Sequence, residues 1–174
     1  MKMNETLKTL LSRRSIRKFT DQSVCQSTLS LVLAAGCAAP SACNARPVRF
    51  VVLDKLQMKK LAGALDQKEP FLQGQWAVAV CADLRNYPLG TAWMEDCSAA
   101  MENMQIACCA LGLGSLWFGV YRRAAKEGAV RSCLKMPDGV EVLGIAVMGY
   151  AAEEKESHDA TPDESVIRRG VWSD

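Results

Sequence analysis

A chain of 174 residues, 49% hydrophobic and 23% charged, has the size and apolar content of one domain with a sizeable core and not of a disordered segment. Its 21 basic and 19 acidic residues leave a formal charge of only +2, which excludes a global field for holding nucleic acid or an anionic membrane, so any anion site has to be local. The start of the chain has no sustained apolar run of signal type and no later stretch reaches the length of a membrane span, so a cytoplasmic protein is expected.

Asn4 is suited to cap a first helix whose Leu7, Leu10 and Leu11 share one face and which ends at the basic run Arg13-Arg14-Ser15-Ile16-Arg17-Lys18-Phe19. A second helix is predicted over 27–38, with Leu29, Val32 and Leu33 inward and Pro40 stopping it. The turn-rich segment from Pro40 to Pro47 then feeds a strand over 49–53. Beyond it, 56–62 is helical in pattern and the unbroken apolar run 76–82 suits a central strand. Trp93, Cys97, Ala100, Met101, Met104, Ala107 and Leu111 recur at helical spacing until Gly112, which marks the core helix. A strand over 115–121, a short helix over 126–134 and a last apolar strand over 140–148 complete the pattern. Interleaved strands and helices argue for α/β or layered α+β architecture. The tail 151–174 is polar except for Val166, Ile167, Val171 and Trp172, an apolar end suited to docking on another surface.

Three arginines and a serine within five residues supply bidentate donors and fixed charge, which suit a phosphate or an electron-rich ring edge. Basic residues at a helix C-terminus are also what dipole complementation alone produces. The Pro40-Ser41-Ala42-Cys43-Asn44 turn places short polar groups on a restrained backbone. Cys43 there is a candidate nucleophile if positive charge lowers its pKa. Gly112-Leu113-Gly114 admits a phosphate turn, but it joins helix to strand and lacks a third glycine, so a helix cap reads better. Adjacent Glu95 and Asp96 point different ways on a helix and read as a solvated first turn. The eight cysteines contain no Cys-x-x-Cys, and His158 is the sole histidine, so neither a disulfide framework nor a zinc site is indicated. Most of these thiols sit in apolar stretches and read as small buried hydrophobes of a reducing compartment. His158, in a polar tail, reads as a surface residue.

In combination and order, the run 13–19, Ala39-Pro40-Ser41-Ala42-Cys43-Asn44 with Pro47 and Arg49-Phe50-Val51-Val52, the 93–113 helix with Asp96, Asn103 and Ala110-Leu111-Gly112-Leu113-Gly114, and Met148-Gly149-Tyr150 resemble the nitroreductase family of FMN-dependent oxidoreductases. The resemblance covers nearly the whole chain. It implies a single α+β domain over 1–174, built as a three-layer α/β/α sandwich on a mixed, mostly antiparallel sheet. It also implies an intertwined homodimer with FMN at the interface and the tail docked on the partner. By resemblance Arg13, Arg14, Ser15 and Arg17 hold the phosphate and pyrimidine edge of FMN. Pro40, Ser41 and Asn44 come from the other subunit, and Leu116, Trp117 and Gly119 present backbone near the redox edge. A slipped register near Glu164-Ser165 would bring Arg168 to the phosphate.

The function so implied is hydride transfer from NADH or NADPH through bound FMN to a nitroaromatic, quinone or enone acceptor, with ping-pong kinetics and no side-chain nucleophile, because the cofactor carries the chemistry. A flavin-storing or flavin-sensing protein that does not turn over shares the same basic motif. A nucleic-acid module would instead bind polyanions in a salt-sensitive way.

Overall fold

The computed structural model describes residues 3–66 and 69–172. Four strands form one sheet in the order β1-β2-β4-β3: β1 Val48–Leu53, β2 Trp76–Asp83, β3 Gly114–Gly119 and β4 Val140–Gly149. All three strand pairings are antiparallel, and parallel character is confined among the described residues to the bridge Ser15–Ser115. The sheet, expected to be mixed and mostly antiparallel, is antiparallel throughout its named strands. β2 is central, as its unbroken apolar run requires, because helices cover both of its faces.

Alternation along β2 separates the two helical layers. Ala77, Ala79 and Cys81 join Met58, Leu61 and Ala62 of α3 (Lys55–Ala64) and Val130 of α5 (Ala124–Leu134) in one core. Val78, Val80 and Ala82 join Leu29 and Val32 of α2 (Gln26–Cys37) and Trp93, Cys97, Met101, Met104 and Cys108 of α4 (Trp93–Ala110) in the other. A register shift opposite Val80/Cys81 lets β4 place Val142 and Ile145 in the first core and Leu143 in the second. The result is the α/β/α sandwich.

Local signals set the element ends. The Asn4 carboxamide accepts the Leu7 N–H at 2.9 Å to open α1 (Glu5–Ser12), and Asp54 and Gln57 form a reciprocal capping box on α3. Gly112 (φ +75°) ends α4 in a left-handed cap, with the Leu113 N–H donating to the Cys108 carbonyl at 2.8 Å and the Gly112 N–H to that of Cys109 at 3.1 Å. Lys135 (φ +51°) stops α5 two residues before the proline expected to do so.

The cysteines depart from expectation. Only Cys81, Cys97 and Cys108 are buried, where burial pushes each thiol up to about 12; Cys25, Cys37, Cys43 and Cys133 are exposed, and all eight are unpaired. A polar environment at exposed Cys25 does the opposite, since hydrogen bonds from Ser27 and then Thr28 hold its thiol down at about 7.

Candidate active site

The basic run is laid along the sheet by its apolar residues. Ile16 and Phe19 are buried in the first core, the Ile16 N–H donates to Ser115 O at 2.9 Å, and the Thr20 N–H to Tyr150 O at 2.8 Å. With positions 16 and 19 facing inward, the arginines between and before them face outward. Gly114 is required for this approach, because a Cβ on it would lie 2.8 Å from Ile16 Cβ.

After β4 the chain returns past the same segment: Phe19 bridges Ala151, the Ala152 N–H donates to Lys18 O at 2.9 Å, and the His158 N–H donates to Leu11 O at 2.8 Å. That return closes a cavity of about 330 Å³ lined by Arg13, Arg14, Ser15, Arg17, Lys155 and His158. A second cavity of about 330 Å³ adjoins it, sharing Arg13, Arg14 and Lys155 and reaching the Gly112–Ser115 turn. The cations are individually oriented. Arg13 Nε meets Glu102 Oε1 of α4 at 3.0 Å, Arg14 Nη1 donates to the Glu156 carbonyl, and Lys155 Nζ donates to Ser15 O at 2.6 Å. The Glu153 carboxylate accepts the Arg17 and Lys18 backbone N–H groups, and these, the Arg17 bond foremost, hold it below the usual carboxylate range.

Pro40 and Ser41 line a different cavity, of about 320 Å³, with Arg46, Arg49 and Phe50. Its loop carries three non-glycine residues in the left-handed region, Cys43 (φ +49°), Asn44 (φ +55°) and Arg46 (φ +50°), a strained run that needs external support. Ser41 Oγ accepts the Arg46 N–H at 2.9 Å, and Asn44 Oδ1 accepts Arg46 Nε at 2.8 Å. The anchor to the body of the protein is Asp96. This carboxylate, 3% exposed, accepts the Ala42 N–H at 2.7 Å and the Tyr87 hydroxyl at 2.9 Å. Burial, with the Asp96 hydrogen bond second, pushes the Tyr87 phenol up to about 12. Asp96 is thus the reverse of a solvated first-turn residue, whereas its neighbour Glu95 is exposed.

Of the residues expected at the site, Arg13, Arg14, Ser15 and Arg17 are brought together, and Pro40, Ser41 and Asn44 form a separate loop. On β3, Leu116 is buried, Trp117 packs against the second core, and Gly119 faces the Arg123 guanidinium; none of them lines the basic cavity. Arg168 donates to the carbonyls of Ser165 at 2.8 Å and Ile167 at 3.2 Å and lies over the Trp172 ring. Lys155 and His158, not Arg168, line the basic cavity. The signal for them was the return after Met148-Gly149-Tyr150, which has to run back along its strand's neighbours. Among the described residues no cluster of His, Cys, Asp and Glu is arranged to hold a metal, and no helix is long and apolar enough to cross a membrane.

The model of the nitroreductase family matches residues 10–94 and 91–150. The chain belongs to that family. A nitroreductase relative from Archaeoglobus fulgidus, provisionally named an NADH dehydrogenase/NAD(P)H nitroreductase, is 37% identical over 98% of this chain and 100% of its own. The FMN reductase [NAD(P)H] of Bacillus subtilis is 27% identical over 98% of this chain and 75% of its own. Among solved structures, a nitroreductase from Desulfovibrio desulfuricans in complex with FMN superposes with a TM-score of 0.84 at 25% identity, covering 99% of this chain and 100% of the other. The nitroreductase fold expected from the sequence motifs is the fold observed.

Proposed function

We propose that this chain is an FMN-dependent oxidoreductase that moves hydride from NADH or NADPH, through bound flavin, to a small electrophilic acceptor of nitroaromatic, quinone or enone type with ping-pong kinetics. The observation that carries this reading is the cavity formed by Arg13, Arg14, Ser15, Arg17 and Lys155, a set of charged donors with a hydroxyl among them. A phosphate with a polar ring edge fits that lining, because guanidinium and ammonium groups give charge-assisted hydrogen bonds to phosphate oxygens. When bound, FMN supplies the hydride-accepting and hydride-donating ring.

The protein's part is position and charge. Arg13, Arg14, Ser15 and Arg17 hold the phosphate and the pyrimidine edge, and Lys155 adds charge beside Ser15. Fixed positive charge there favours the electron-rich reduced ring. Pro40, Ser41 and Asn44 are assigned to the ring of a second subunit's flavin, and β3 at Leu116, Trp117 and Gly119 to backbone support. A homodimer is supported by unspent apolar surface: α1 buries none of its side chains while Leu7 and Leu10 are exposed, and Val166, Val171 and Trp172 are at least 75% exposed.

The decisive test is the visible spectrum of gently purified protein, followed under anaerobic conditions during addition of NADH and then NADPH. A heat-releasable flavin bleached by either nucleotide is expected. Uptake of FMN without bleaching would turn the reading to a storage or sensing protein, and failure to take up FMN would reject it.

A further inference from the structure

We infer that the cavity between the end of α2 and the start of β1 takes the 2′-phosphate of NADPH on Arg46 and Arg49, so that this chain prefers NADPH to NADH. The inference rests on the FMN reading above and deepens it, naming the hydride donor and the chemistry that recognises it.

The cavity, of about 320 Å³, has two unlike sets of lining residues: Pro40, Val48 and Phe50 are apolar, whereas Ser41, Arg46 and Arg49 carry hydrogen-bonding groups. Gly36 lets α2 close on Phe50, because an added Cβ there would lie 2.9 Å from both Met104 Cγ and Phe50 Cζ. A volume of this size suits one end of a dinucleotide, an apolar wall for the base and cations for its phosphate.

Both guanidiniums have donors to spare. Arg46 spends Nε on Asn44 Oδ1 at 2.8 Å, and Arg49 spends Nη1 on the carbonyls of Arg46 at 3.0 Å and Val48 at 2.9 Å. Neither forms an ion pair among the described residues. Asp83, the carboxylate within the field of Arg49, is taken by Arg85 through two bonds, of 2.8 and 2.6 Å. Two like charges are therefore held at one cavity, one of them bonded to the backbone of the other, with no protein anion between them. A dianion relieves that arrangement.

The flavin phosphate is provided for elsewhere, since the basic cavity shares no lining residue with this one. Pro40 and Ser41, by contrast, line this cavity and are the residues assigned to the ring of the second subunit's flavin. A nicotinamide stacked on that ring leaves its adenosine end to run on along the same loop. NADPH differs from NADH only by a phosphate on the ribose of that end, which a guanidinium fork binds through paired charge-assisted bonds.

The test compares the rates of anaerobic flavin reduction by NADPH and by NADH in the FMN-loaded wild type and in Arg49→Gln, Arg46→Gln and Arg49→Lys. The wild type is expected to favour NADPH about tenfold or more, and the preference to fall about tenfold in either glutamine variant and less in Arg49→Lys, which keeps the charge without the fork. Lys59→Gln, the same loss of charge at an exposed position of α3, should leave the ratio where it is. Binding is read separately by calorimetry: adenosine 2′,5′-bisphosphate should bind the wild type more tightly than adenosine 5′-phosphate does, and Arg49→Gln should lose that difference. The bisphosphate should also shield Cys37, exposed at the same cavity, from alkylation. A wild-type ratio near unity, a preference that survives both glutamine variants, or bisphosphate binding that leaves Cys37 unshielded would overturn the inference. So would an unmoved ratio with a loss of rate toward a carboxylate-bearing acceptor, which gives the arginines to the acceptor instead. If neither nucleotide reduces bound FMN, the oxidoreductase reading fails and the inference with it; reduction with an unmoved ratio fails the inference alone. Both arginines are exposed, so the variants should fold, and thermal melts matching the wild type check it.

Discussion

The basic segment and the Pro40 loop are held by opposite means. Arg13, Arg14 and Arg17 are outward-facing side chains on a backbone pinned by buried Ile16 and Phe19; the Arg13 and Arg14 side chains meet the Glu102 carboxylate and the Glu156 carbonyl at the molecular rim, and the Arg17 backbone N–H donates to the Glu153 carboxylate. The loop's left-handed residues, Cys43, Asn44 and Arg46, are exposed, and the loop hangs from one buried carboxylate, Asp96, supplied by the core helix. Charge can thus be altered in the first region at little cost to the fold, whereas the second is coupled to the core. One helix serves both, since α4 contributes Glu102 to Arg13 and Asp96 to Ala42.

The largest effect is expected where the loop meets the core. Asp96→Ala leaves the Ala42 N–H and the Tyr87 hydroxyl without their partner and should cost about 3 kcal/mol in urea unfolding. Asp96→Asn, which retains an acceptor, should cost less. Equal, negligible losses in both would dissolve the contrast between the regions. Next comes Gly114→Ala, whose new methyl collides with Ile16 and should cost about 1–3 kcal/mol while displacing the arginines, read as weakened FMN binding alongside a lower denaturation midpoint.

Arg13→Ala sharpens the comparison from the other side. Its ion pair with Glu102 is partly exposed, so stability should change by less than about 1 kcal/mol, while FMN affinity should fall on the order of tenfold or more. A loss of stability exceeding the loss of binding would make the residue structural. The smallest effect concerns acid. Glu153 has a depressed folded-state pKa, so its stabilisation is fully present above its ordinary value of 4.5 and is lost as pH falls through the lower folded value. Stability measured from neutral pH downward should drop less steeply in Glu153→Gln than in the wild type.

Much of the first region could be read directly. The run 13–19 announces itself by residue type, and the α4 periodicity from Trp93 to Leu111 marks the core helix because a buried face must repeat every three to four residues. Asp96 could not be read in the same way. A carboxylate beside Glu95 at a helix start looks solvated unless one knows that a loop some fifty positions earlier folds over it, and hydrogen-bond partners distant in the chain leave no local pattern. His158 and Lys155 were hidden for the same reason, being polar residues in a polar tail whose place is set by the pairing of Phe19 with Ala151.

The amino-acid sequence by itself determined the elements, their order, the basic motif and the family, because capping residues, apolar period and turn chemistry act over a few neighbours. Tertiary structure decided the assembly of the site: which cations share a cavity, that Lys155 and His158 line it and Arg168 does not, and that Asp96 is buried. These are matters of contact between segments far apart in the chain, fixed only when the two cores close on the sheet.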